Sequence, residues 1–338
     1  MSEFFQDQVL LELCEISQVK LDQVTLLTSP QAHYRCRCVL SIDHTISPPK
    51  WTLYDESAQK IVHVDEHHPS CQLYMQSILD AMPIVLSNIT ANVASVLFLY
   101  AMGSGELLIC LNSASPIIPD EPWISSLQSS LPNANLIMRT RGSCHVIGRP
   151  FVTDKITLQN GKTITLRHVD NQFSNPNPYI ATKCLNWLID QVTRYQPKMI
   201  TEMYSGDSHH TCAIAPLVES VTCVEIQERL VQAARLNVES NGLINVEIVN
   251  CDCSKFSRGV KGDIEFALVD PPRAGLDQVT LKMLGQRALV IVYISCNPEA
   301  LVVNMRSLTS THRVDSICVM DHFPRTGHFE VGIVLVRL

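Results

Sequence analysis

The chain has 338 residues, of which 46% are hydrophobic and 17% charged, a composition typical of a globular protein long enough for two domains. Its formal net charge of −7 excludes an overall positive field, so any nucleic-acid site must be a local patch. No basic segment precedes an apolar one at the start, and the apolar runs are only strand-length, which argues against a signal peptide and a membrane span.

The 13 cysteines do not have the spacing of a metal site. Cys36 with Cys38 and Cys251 with Cys253 are C-x-C pairs, which differ from the cysteine patterns of zinc and iron–sulfur proteins. An odd number of unpaired thiols is typical of a reducing compartment. We therefore expect a cytoplasmic protein without a bound metal.

The first half of the chain predicts a mixed α+β domain over residues 1–165. Apolar residues at helical spacing predict a helix over residues 5–19, and further helices are predicted to begin near His68 and Pro122. Turn-prone segments separate strand-like stretches. These stretches are residues 33–41, 61–65, 96–100 and 107–111.

A cluster of cations lies between residues 139 and 167, interrupted by a single acid, Asp154. If these cations share a face, they can neutralise RNA phosphates and release counterions. A solvated surface of a β-rich domain explains the same residues without RNA. We expect the first domain to bind RNA through Arg139, Arg141, Arg149 and Lys155.

Residues 166–338 predict a Rossmann-like domain. Strand-like runs alternate with helical stretches such as 228–240, which indicates a mostly parallel sheet with helices on both faces. Two strands close together at the end predict an antiparallel pair, and ligands of such sheets bind beyond the carboxyl ends of the strands. The predicted strands are 199–204, 221–226, 246–250, 266–270, 288–295, 313–320 and 329–336.

The segment ITEMYSGDSH at 200–209 predicts a strand that runs into a tight turn and a helix. Glu225 follows the turn residue Gly206 by 19 positions and closes the next strand. This spacing is typical of an adenosine site, in which the carboxylate binds the ribose hydroxyls. Because the turn has a single glycine, an ordinary strand–helix connection explains it equally well.

The segment DPPRAGLD at 270–277 places Asp270 at the end of a strand and then forces an extended exit from the sheet. The two prolines have no N–H groups, so this loop can line a pocket for a planar base. A connecting loop between strand and helix, without a functional role, is the alternative explanation.

The segment YISCNPE at 293–299 carries Cys296 to the end of a buried strand. Asn297 suits an N-cap and Pro298 suits the first helical position. A thiol just before a helix N-terminus has its anion stabilised, which lowers its pKa and favours a nucleophile. A cysteine of the core is the alternative.

The segment DHFPRTGHFEV at 321–331 places Glu330 at the head of an apolar run. A carboxylate is costly to desolvate there unless it is paired or functional. Partial burial would raise its pKa towards a value useful for proton abstraction. An exposed glutamate at a strand edge is the alternative.

Together these motifs resemble those of the bacterial tRNA (uracil-5-)-methyltransferase family, whose members make ribothymidine in the T-loop of tRNA. Related ribosomal-RNA enzymes often carry a cysteine cluster for an iron–sulfur centre and an extra N-terminal RNA-binding module, and neither is visible here. The resemblance covers nearly the whole chain. It is carried by DPPRAGLD, ISCNPEAL (294–301) and DHFPRTGHFEVGIVL (321–335), and extends through SPQAHYRCR (29–37), HVIGR (145–149) and NQFSNPNP (171–178).

The resemblance implies S-adenosylmethionine as cofactor and a covalent mechanism. Cys296 would attack C6 of uracil, C5 would then take the methyl group, and Glu330 would remove the C5 proton so that Cys296 can leave. The resemblance also implies that Asp270 lies near the reacting groups. The cofactor-binding residues that it implies are Asn175, Tyr204, Gly206, His209, Glu225 and Asp270.

Two positions differ from the family pattern. The cofactor loop of the family reads Gly-Asn-Gly-Asn, whereas this chain has GDSH at 206–209, and a glutamine usually stands at the position of Asn175. If the third loop position needs a positive φ, Ser208 is sterically less favourable than glycine. Both differences affect the methyl-donor side and leave weakened cofactor affinity open.

We therefore expect a monomeric cytoplasmic enzyme that methylates C5 of the T-loop uridine of tRNA, with tmRNA as a second candidate substrate and no membrane contact. Two alternatives stay open: a tRNA-binding or tRNA-folding protein that has lost catalysis, and a 5-methyluridine methyltransferase acting on rRNA. A nicotinamide oxidoreductase is disfavoured, because the turn has one glycine and such a function leaves Cys296 and Glu330 unexplained.

Overall fold

The computed structural model of the protein describes residues 7–55, 59–89, 93–115, 117, 121–170, 172 and 174–338. Phe5 of the predicted first helix lies outside the described residues, as do Asn171 and Phe173 of the NQFSNPNP segment. In the part of the chain that is described, no helix has the length and apolar character needed to cross a membrane.

The helices and strands are numbered in chain order. The helices are α1 (Gln8–Ser17), α2 (Gln76–Asn88), α3 (Pro122–Ser130), α4 (Pro178–Tyr195), α5 (His209–Ile214), α6 (Glu228–Ser240), α7 (Cys253–Gly259), α8 (Gln278–Arg287) and α9 (Pro298–Leu308). The strands are β1 (Thr25–Leu27), β2 (Arg37–Asp43), β3 (Lys50–Asp55), β4 (Lys60–Val64), β5 (Val93–Ala101), β6 (Glu106–Ser113), β7 (Ala134–Thr140), β8 (Ser143–Ile147), β9 (Phe151–Thr157), β10 (Thr163–Val169), β11 (Met199–Met203), β12 (Ser220–Glu225), β13 (Val246–Asn250), β14 (Ile264–Val269), β15 (Ala288–Ser295), β16 (His312–Met320) and β17 (Glu330–Arg337).

The chain divides into two compact units that alternate along the sequence. The first unit comprises Met1–Ser29, Leu158–Ile164 and Ile180–Leu338, and the second comprises Pro30–Thr157 and Thr165–Tyr179. This division differs from a single boundary at residue 165. The physical reason is that β1, near the start of the chain, pairs with β16 near its end, and α1 packs against α9.

The first unit is built on an eight-stranded sheet in the order β1-β16-β17-β15-β14-β11-β12-β13. β17 runs antiparallel to its neighbours β15 and β16, and the other neighbouring strands of this sheet are parallel. The prediction of a Rossmann-like domain with a mostly parallel sheet is thereby confirmed. The order in which strands are added to the sheet reverses between β11 and β14: β12 and β13 follow on one side of β11, and β14 and β15 lie on the other. Such a switch point opens a crevice at the carboxyl ends of the strands.

The second unit contains a seven-stranded sheet in the order β4-β3-β2-β5-β6-β7-β8, in which only β6 and β7 are parallel neighbours. Side chains of one face form a core with those of α2 and α3, and Trp51 and Phe98 are among the largest buried residues there. β9 and β10 form a separate two-stranded sheet. Alternating helices and mainly antiparallel strands agree with the predicted α+β character.

The helix predicted to begin near His68 begins at Gln76 instead. Arg35 N donates to Leu73 O at 2.8 Å and Met75 N donates to Arg35 O at 2.9 Å, which holds Tyr74 and Met75 in an extended conformation. A single 3₁₀ turn, Cys71–Leu73, precedes them. Backbone pairing with a distant segment therefore overrides the local helical spacing.

Gly332 allows the ring of Trp187, on α4, to lie directly against β17. A Cβ atom at this position would be 2.7 Å from Trp187 Cη2 and 3.0 Å from Met320 Cε. Gly332 lies two residues after Glu330 on the same strand. The close packing of Trp187 therefore fixes the strand on which Glu330 is carried.

We predict that Gly332→Ala lowers the free energy of unfolding by about 1–3 kcal/mol, because the added methyl group overpacks this contact. Gly285→Ala, in α8, is the matched control, since its Cβ would come no closer than 3.4 Å to Thr311 Oγ1 and alanine favours a helix by about 0.8–1 kcal/mol. Denaturant unfolding measures both effects. Equal stability of Gly332→Ala and the unmodified protein would contradict this account of the packing.

Candidate active site

Five of the predicted site residues lie along one edge of the eight-stranded sheet. Tyr204, Asp270 and Cys296 directly follow β11, β14 and β15, and Glu225 is the last residue of β12. Glu330 is the first residue of β17, whose antiparallel direction brings its amino end to the same edge. The sheet therefore gathers residues that are as much as 126 positions apart in the sequence.

Cys296 and Glu330 lie at the matching ends of the paired strands β15 and β17. Ile294 pairs with Gly332 and Ser295 pairs with Val331, so the next positions along the two strands are Cys296 and Glu330. The Cys296 side chain is half-buried, and the Glu330 side chain is 20% exposed. A thiol and a carboxylate thus lie side by side at the carboxyl edge, where both can reach one bound base.

The predicted lowering of the Cys296 pKa is wrong. Burial raises the pKa of the thiol above its ordinary value, and the negative charges of Glu330 and Asp270 raise it further. The positive charge of Arg273 opposes this shift without reversing it. The nearby carboxylates and the loss of water therefore outweigh the helix N-terminus that follows.

The predicted raising of the Glu330 pKa is also wrong. Burial raises the pKa of this carboxyl, but the overall shift is downward because three histidines stabilise the carboxylate. His322 has the largest effect, through its charge and through a contact of 3.1 Å between His322 Nε2 and Glu330 Oε2. His210 and His209 add smaller effects of the same sign. Glu330 is therefore ionised throughout the neutral range.

The pKa of Asp270 shifts in the opposite direction to that of Glu330. Burial raises its pKa to about 8, and the negative charge of Glu330 adds to the shift, while His209 opposes it. Asp270 is consequently largely protonated at neutral pH and can donate a hydrogen bond as well as accept one. Two carboxyl groups of one site thus hold different charges at the same pH.

The loop of Cys296 is fastened to the loop of Asp270 by Asn297. Its Oδ1 accepts a hydrogen bond from Ala300 N and caps α9, as predicted, and Pro298 takes the first helical position. The amide nitrogen of the same side chain, Asn297 Nδ2, donates a hydrogen bond to Arg273 O at 2.8 Å. One side chain therefore sets the spacing between the two loops.

The turn after β11 has an unusual backbone. Tyr204, Gly206 and Ser208 have φ values of 60°, 57° and 63°, so every second residue is left-handed. The third position of the Gly206-Asp-Ser-His209 loop, Ser208, thus has the positive φ that disfavours a residue with a Cβ atom. Glu225 holds this turn, since its Oε2 accepts from Gly206 N at 3.0 Å and its Oε1 accepts from Gln227 N at 2.7 Å.

The turn fits an adenosine-containing cofactor. A Cβ atom built on Gly206 would meet no atom within 4 Å, so the space in front of the turn is open. Each carboxylate oxygen of Glu225 accepts one backbone hydrogen bond, which leaves lone pairs for hydroxyl groups of a ligand. Tyr204 borders the same turn, and its hydroxyl donates to Asp277 Oδ2 at 3.3 Å. His209 Nδ1 lies 3.3 Å from Asp207 Oδ1.

Asn175 belongs to the second unit, where its Oδ1 accepts from Asn177 N at 3.0 Å. This bond forms a local turn just before α4. The structure of the described residues therefore assigns a turn-forming contact to Asn175, and its predicted role towards the cofactor stays a prediction.

The four cations predicted to bind RNA also lie in the second unit, and they differ in how they are held. Arg139 forms an ion pair with the buried Asp170. Arg149 pairs with Glu106 at 2.7 Å and lies 5.4 Å from the ring centroid of Phe151. The last two, Arg141 and Lys155, are exposed. Arg139 is therefore committed to an internal contact, whereas the exposed residues are better placed for phosphates.

Sequence reasoning missed two residues of the site. His322 stands between Asp321 and Phe323, in a loop with no periodic pattern, so nothing local indicated its contact with Glu330. Asn304 on α9 carried a usable signal, because it is a polar residue on a face otherwise occupied by buried leucine and methionine. Its Oδ1 accepts from Leu276 N at 2.9 Å and from Tyr293 Oη at 2.7 Å, and so supports the loop after Asp270.

The fold and this edge define the class of protein: a Rossmann-like methyltransferase with a thiol and a carboxylate beside its cofactor crevice. The model of the tRNA (Uracil-5-)-methyltransferase family matches residues 8–338, and the chain therefore belongs to that family.

Curated relatives agree with this assignment. A protein of Acinetobacter baumannii (strain SDF) named tRNA/tmRNA (uracil-C(5))-methyltransferase is 30% identical over 360 residues, covering 95% of this chain and 98% of the relative. A protein of the same name from Shewanella amazonensis is 32% identical over 336 residues, covering 91% of this chain and 89% of the relative.

A solved structure agrees at the level of the fold. The Pyrococcus abyssi tRNA (uracil-54, C5)-methyltransferase, in complex with S-adenosyl-L-homocysteine, matches with a TM-score of 0.78 and 21% identity. The match covers 99% of this chain and 84% of that one.

We predict that Ser208→Gly raises the free energy of unfolding by about 1 kcal/mol, because glycine adopts a left-handed conformation without the steric strain of a Cβ atom. Gly206→Ala is expected to lower it by a similar amount, since its φ is also positive and no neighbouring atom obstructs the new Cβ. Urea unfolding of the two variants measures both changes. Shifts of the same sign would show that backbone strain does not control this turn.

Proposed function

We propose that the protein transfers a methyl group from S-adenosylmethionine to C5 of a uridine in tRNA, and that this uridine lies in the T-loop. The observation that carries the proposal is that Cys296 and Glu330 come directly after and directly before the paired residues Ser295 and Val331 of β15 and β17. C5 methylation of a pyrimidine needs a nucleophile and a base at one ring. The names of the relatives support tRNA as the substrate, and tmRNA as a second one.

Cys296 starts the reaction. C5 of uracil is too weak a nucleophile to take a methyl group directly, so the thiolate of Cys296 adds to C6 and the electron pair of the C5–C6 double bond moves towards C5 and the adjacent carbonyl. Asp270, protonated at neutral pH, adds no second negative charge beside this electron-rich ring. The addition is thereby easier than it would be between two carboxylates.

The cofactor crevice lies beside this pair. S-adenosylmethionine, when bound, supplies a methyl group attached to a positively charged sulfur. Glu225 holds the turn at Gly206 and offers its remaining lone pairs to the ribose, while Tyr204 lines the turn. These residues would orient the donor towards C5 while Cys296 is attached to C6, and the sulfur–methyl bond would break with the sulfur leaving as a neutral thioether.

Glu330 ends the reaction. Its carboxylate removes the proton from C5, the electron pair of the C5–H bond restores the C5–C6 double bond, and Cys296 leaves as the thiolate. A pKa below its ordinary value keeps Glu330 ionised and ready to accept this proton at neutral pH.

The RNA is proposed to contact the second unit through exposed cations. Arg141 and Lys155 are the strongest candidates, and Arg149 follows, because its side chain is 49% exposed although it is paired with Glu106. Such contacts to phosphates position the RNA without reading its sequence. A tRNA substrate also favours a cytoplasmic location, and we propose that the enzyme acts as a monomer.

Purified protein, S-adenosylmethionine and tRNA transcripts are expected to yield 5-methyluridine, detected by nucleoside mass spectrometry. Cys296→Ala should yield none. Glu330→Gln should stop after methyl transfer, because an amide cannot accept the C5 proton. Binding of S-adenosylmethionine, measured by calorimetry, provides the control: a protein that binds tRNA but shows no binding of the cofactor at millimolar concentration would indicate a non-catalytic tRNA-binding role.

Transcripts that carry 5-fluorouridine should form a covalent adduct with Cys296 that survives denaturation, since fluorine cannot be removed as a proton. Because the pKa of Cys296 is raised, the thiolate fraction and the rate of adduct formation should rise about tenfold per pH unit between about pH 6 and pH 8. The rise should flatten where Asp270 ionises, near its pKa of about 8. Rapid-quench gels measure this rate, and a rate independent of pH would contradict attack by a thiolate that must first lose its proton.

A further inference from the structure

His322 is the buried neighbour of the proposed base. It lies in the loop between β16 and β17, its side chain is 1% exposed, and its Nε2 is 3.1 Å from Glu330 Oε2. This separation is an ion-pair contact, and because an ionised carboxylate can only accept hydrogen bonds, Nε2 stabilises Oε2 when it carries a proton. This contact accounts for one oxygen of the carboxylate and leaves Oε1 to receive the proton of a substrate.

The backbone around His322 is held on both sides. Asp321 N donates to Leu27 O at 2.9 Å, and His322 N donates to Met320 O at 3.0 Å. Met320 in turn pairs with Glu330 across the β16–β17 hairpin. His322 and Glu330 therefore lie close to the last paired residues of the β16–β17 hairpin, one near the end of β16 and the other at the start of β17. The backbone pairing of the hairpin holds both residues in place.

We propose that His322 is a positioning residue, which fixes the Glu330 carboxylate through Oε2 so that Oε1 faces the C5 proton during elimination. This inference rests on the proposed function and names a further residue for its last step. A carboxylate that is so little exposed has lost most of its contacts with water. Without a partner such as His322, it would either take up a proton or turn towards another partner.

In this step the C5–H bond breaks and its electron pair forms the C5–C6 double bond. The C6–S bond breaks at the same time and its electron pair returns to Cys296 Sγ. The proton goes to Oε1 of Glu330, while Oε2 keeps its contact with His322. No external oxidant or reductant is needed.

Several titratable groups surround Glu330, and they decide how the loss of His322 changes its pKa. The remaining groups that can carry a positive charge near Glu330 lie on α5, and those that can carry a negative charge lie at the ends of β14 and β15 and on α4. Because the histidine with the largest effect is removed, burial is left to raise the pKa of the carboxyl. The groups are His209 and His210 on α5, Asp270 after β14, Cys296 after β15 and Cys184 on α4.

The test follows elimination separately from addition. Full-length protein reacts with ordinary tRNA and S-adenosylmethionine, and rapid-quench gels measure the covalent RNA–protein complex and its decay between about pH 5.5 and pH 9. In the unmodified protein, elimination should vary little with pH over this range. In His322→Ala the complex should accumulate, and its decay should slow by about tenfold per pH unit below the raised pKa of Glu330.

Two variants control for a merely structural effect. His322→Gln keeps a side-chain N–H for Oε2 and should restore most of the elimination rate. His312→Ala removes another buried histidine from the opposite end of β16, where Nε2 contacts Ala288 O at 2.9 Å, and should lower stability without accumulation of the complex. At a pH at which Glu330 is ionised in both proteins, adducts with 5-fluorouridine tRNA should form at the same rate in His322→Ala and the unmodified protein, since no proton is removed from them.

The outcomes are distinguishable. If the unmodified protein forms no 5-fluorouridine adduct, the proposed function itself fails. If that adduct forms, but His322→Ala eliminates at the unmodified rate at every pH, only the inference on His322 is overturned. It is also overturned if His322→Ala slows addition and elimination by the same factor at every pH, because a general loss of structure then explains the effect.

Discussion

The antiparallel pairing of β17 with β15 is the interaction on which the proposed site depends. In a wholly parallel sheet, strand starts and strand ends lie at opposite edges. Because β17 is reversed, its first residue, Glu330, reaches the edge at which β15 delivers Cys296. The Trp187 ring against Gly332 and the hairpin with β16 then hold that register. A slip of one residue would turn Glu330 to the other face of the sheet.

Three acidic groups that share this edge differ in protonation state because their electrostatic surroundings differ. Cys296, Asp270 and Glu330 all lose water, and three negative charges so close together would repel each other. The histidines favour one of them: Glu330 stays ionised, while Asp270 and Cys296 keep their protons at neutral pH. The site therefore rests with a single negative charge, placed on the group proposed to act as base.

Much of this arrangement could be predicted from the sequence, because local signals encode it. β13, β15 and α6 begin and end at the predicted residues, and the N-cap of α9 by Asn297 was read from one dipeptide. What could not be predicted depends on distant partners. The helix expected near His68 begins only at Gln76, because the residues before it pair with Arg35. The pairing of β1 with β16 has no sequence signal, and the pKa directions at Cys296 and Glu330 follow from neighbours that only the folded sheet brings together.

The raised pKa of Cys296 has consequences for both halves of the proposed reaction. A thiolate whose conjugate acid has a higher pKa is a stronger nucleophile but a poorer leaving group. Addition to C6 is therefore limited by the fraction of thiolate, whereas the C6–S bond, once formed, breaks reluctantly. That bond breaks only as the C5 proton is removed, so elimination depends on the basicity and orientation of Glu330. A buried histidine beside this carboxylate lowers its basicity yet fixes its direction, which is favourable only if orientation limits the step more than proton affinity does.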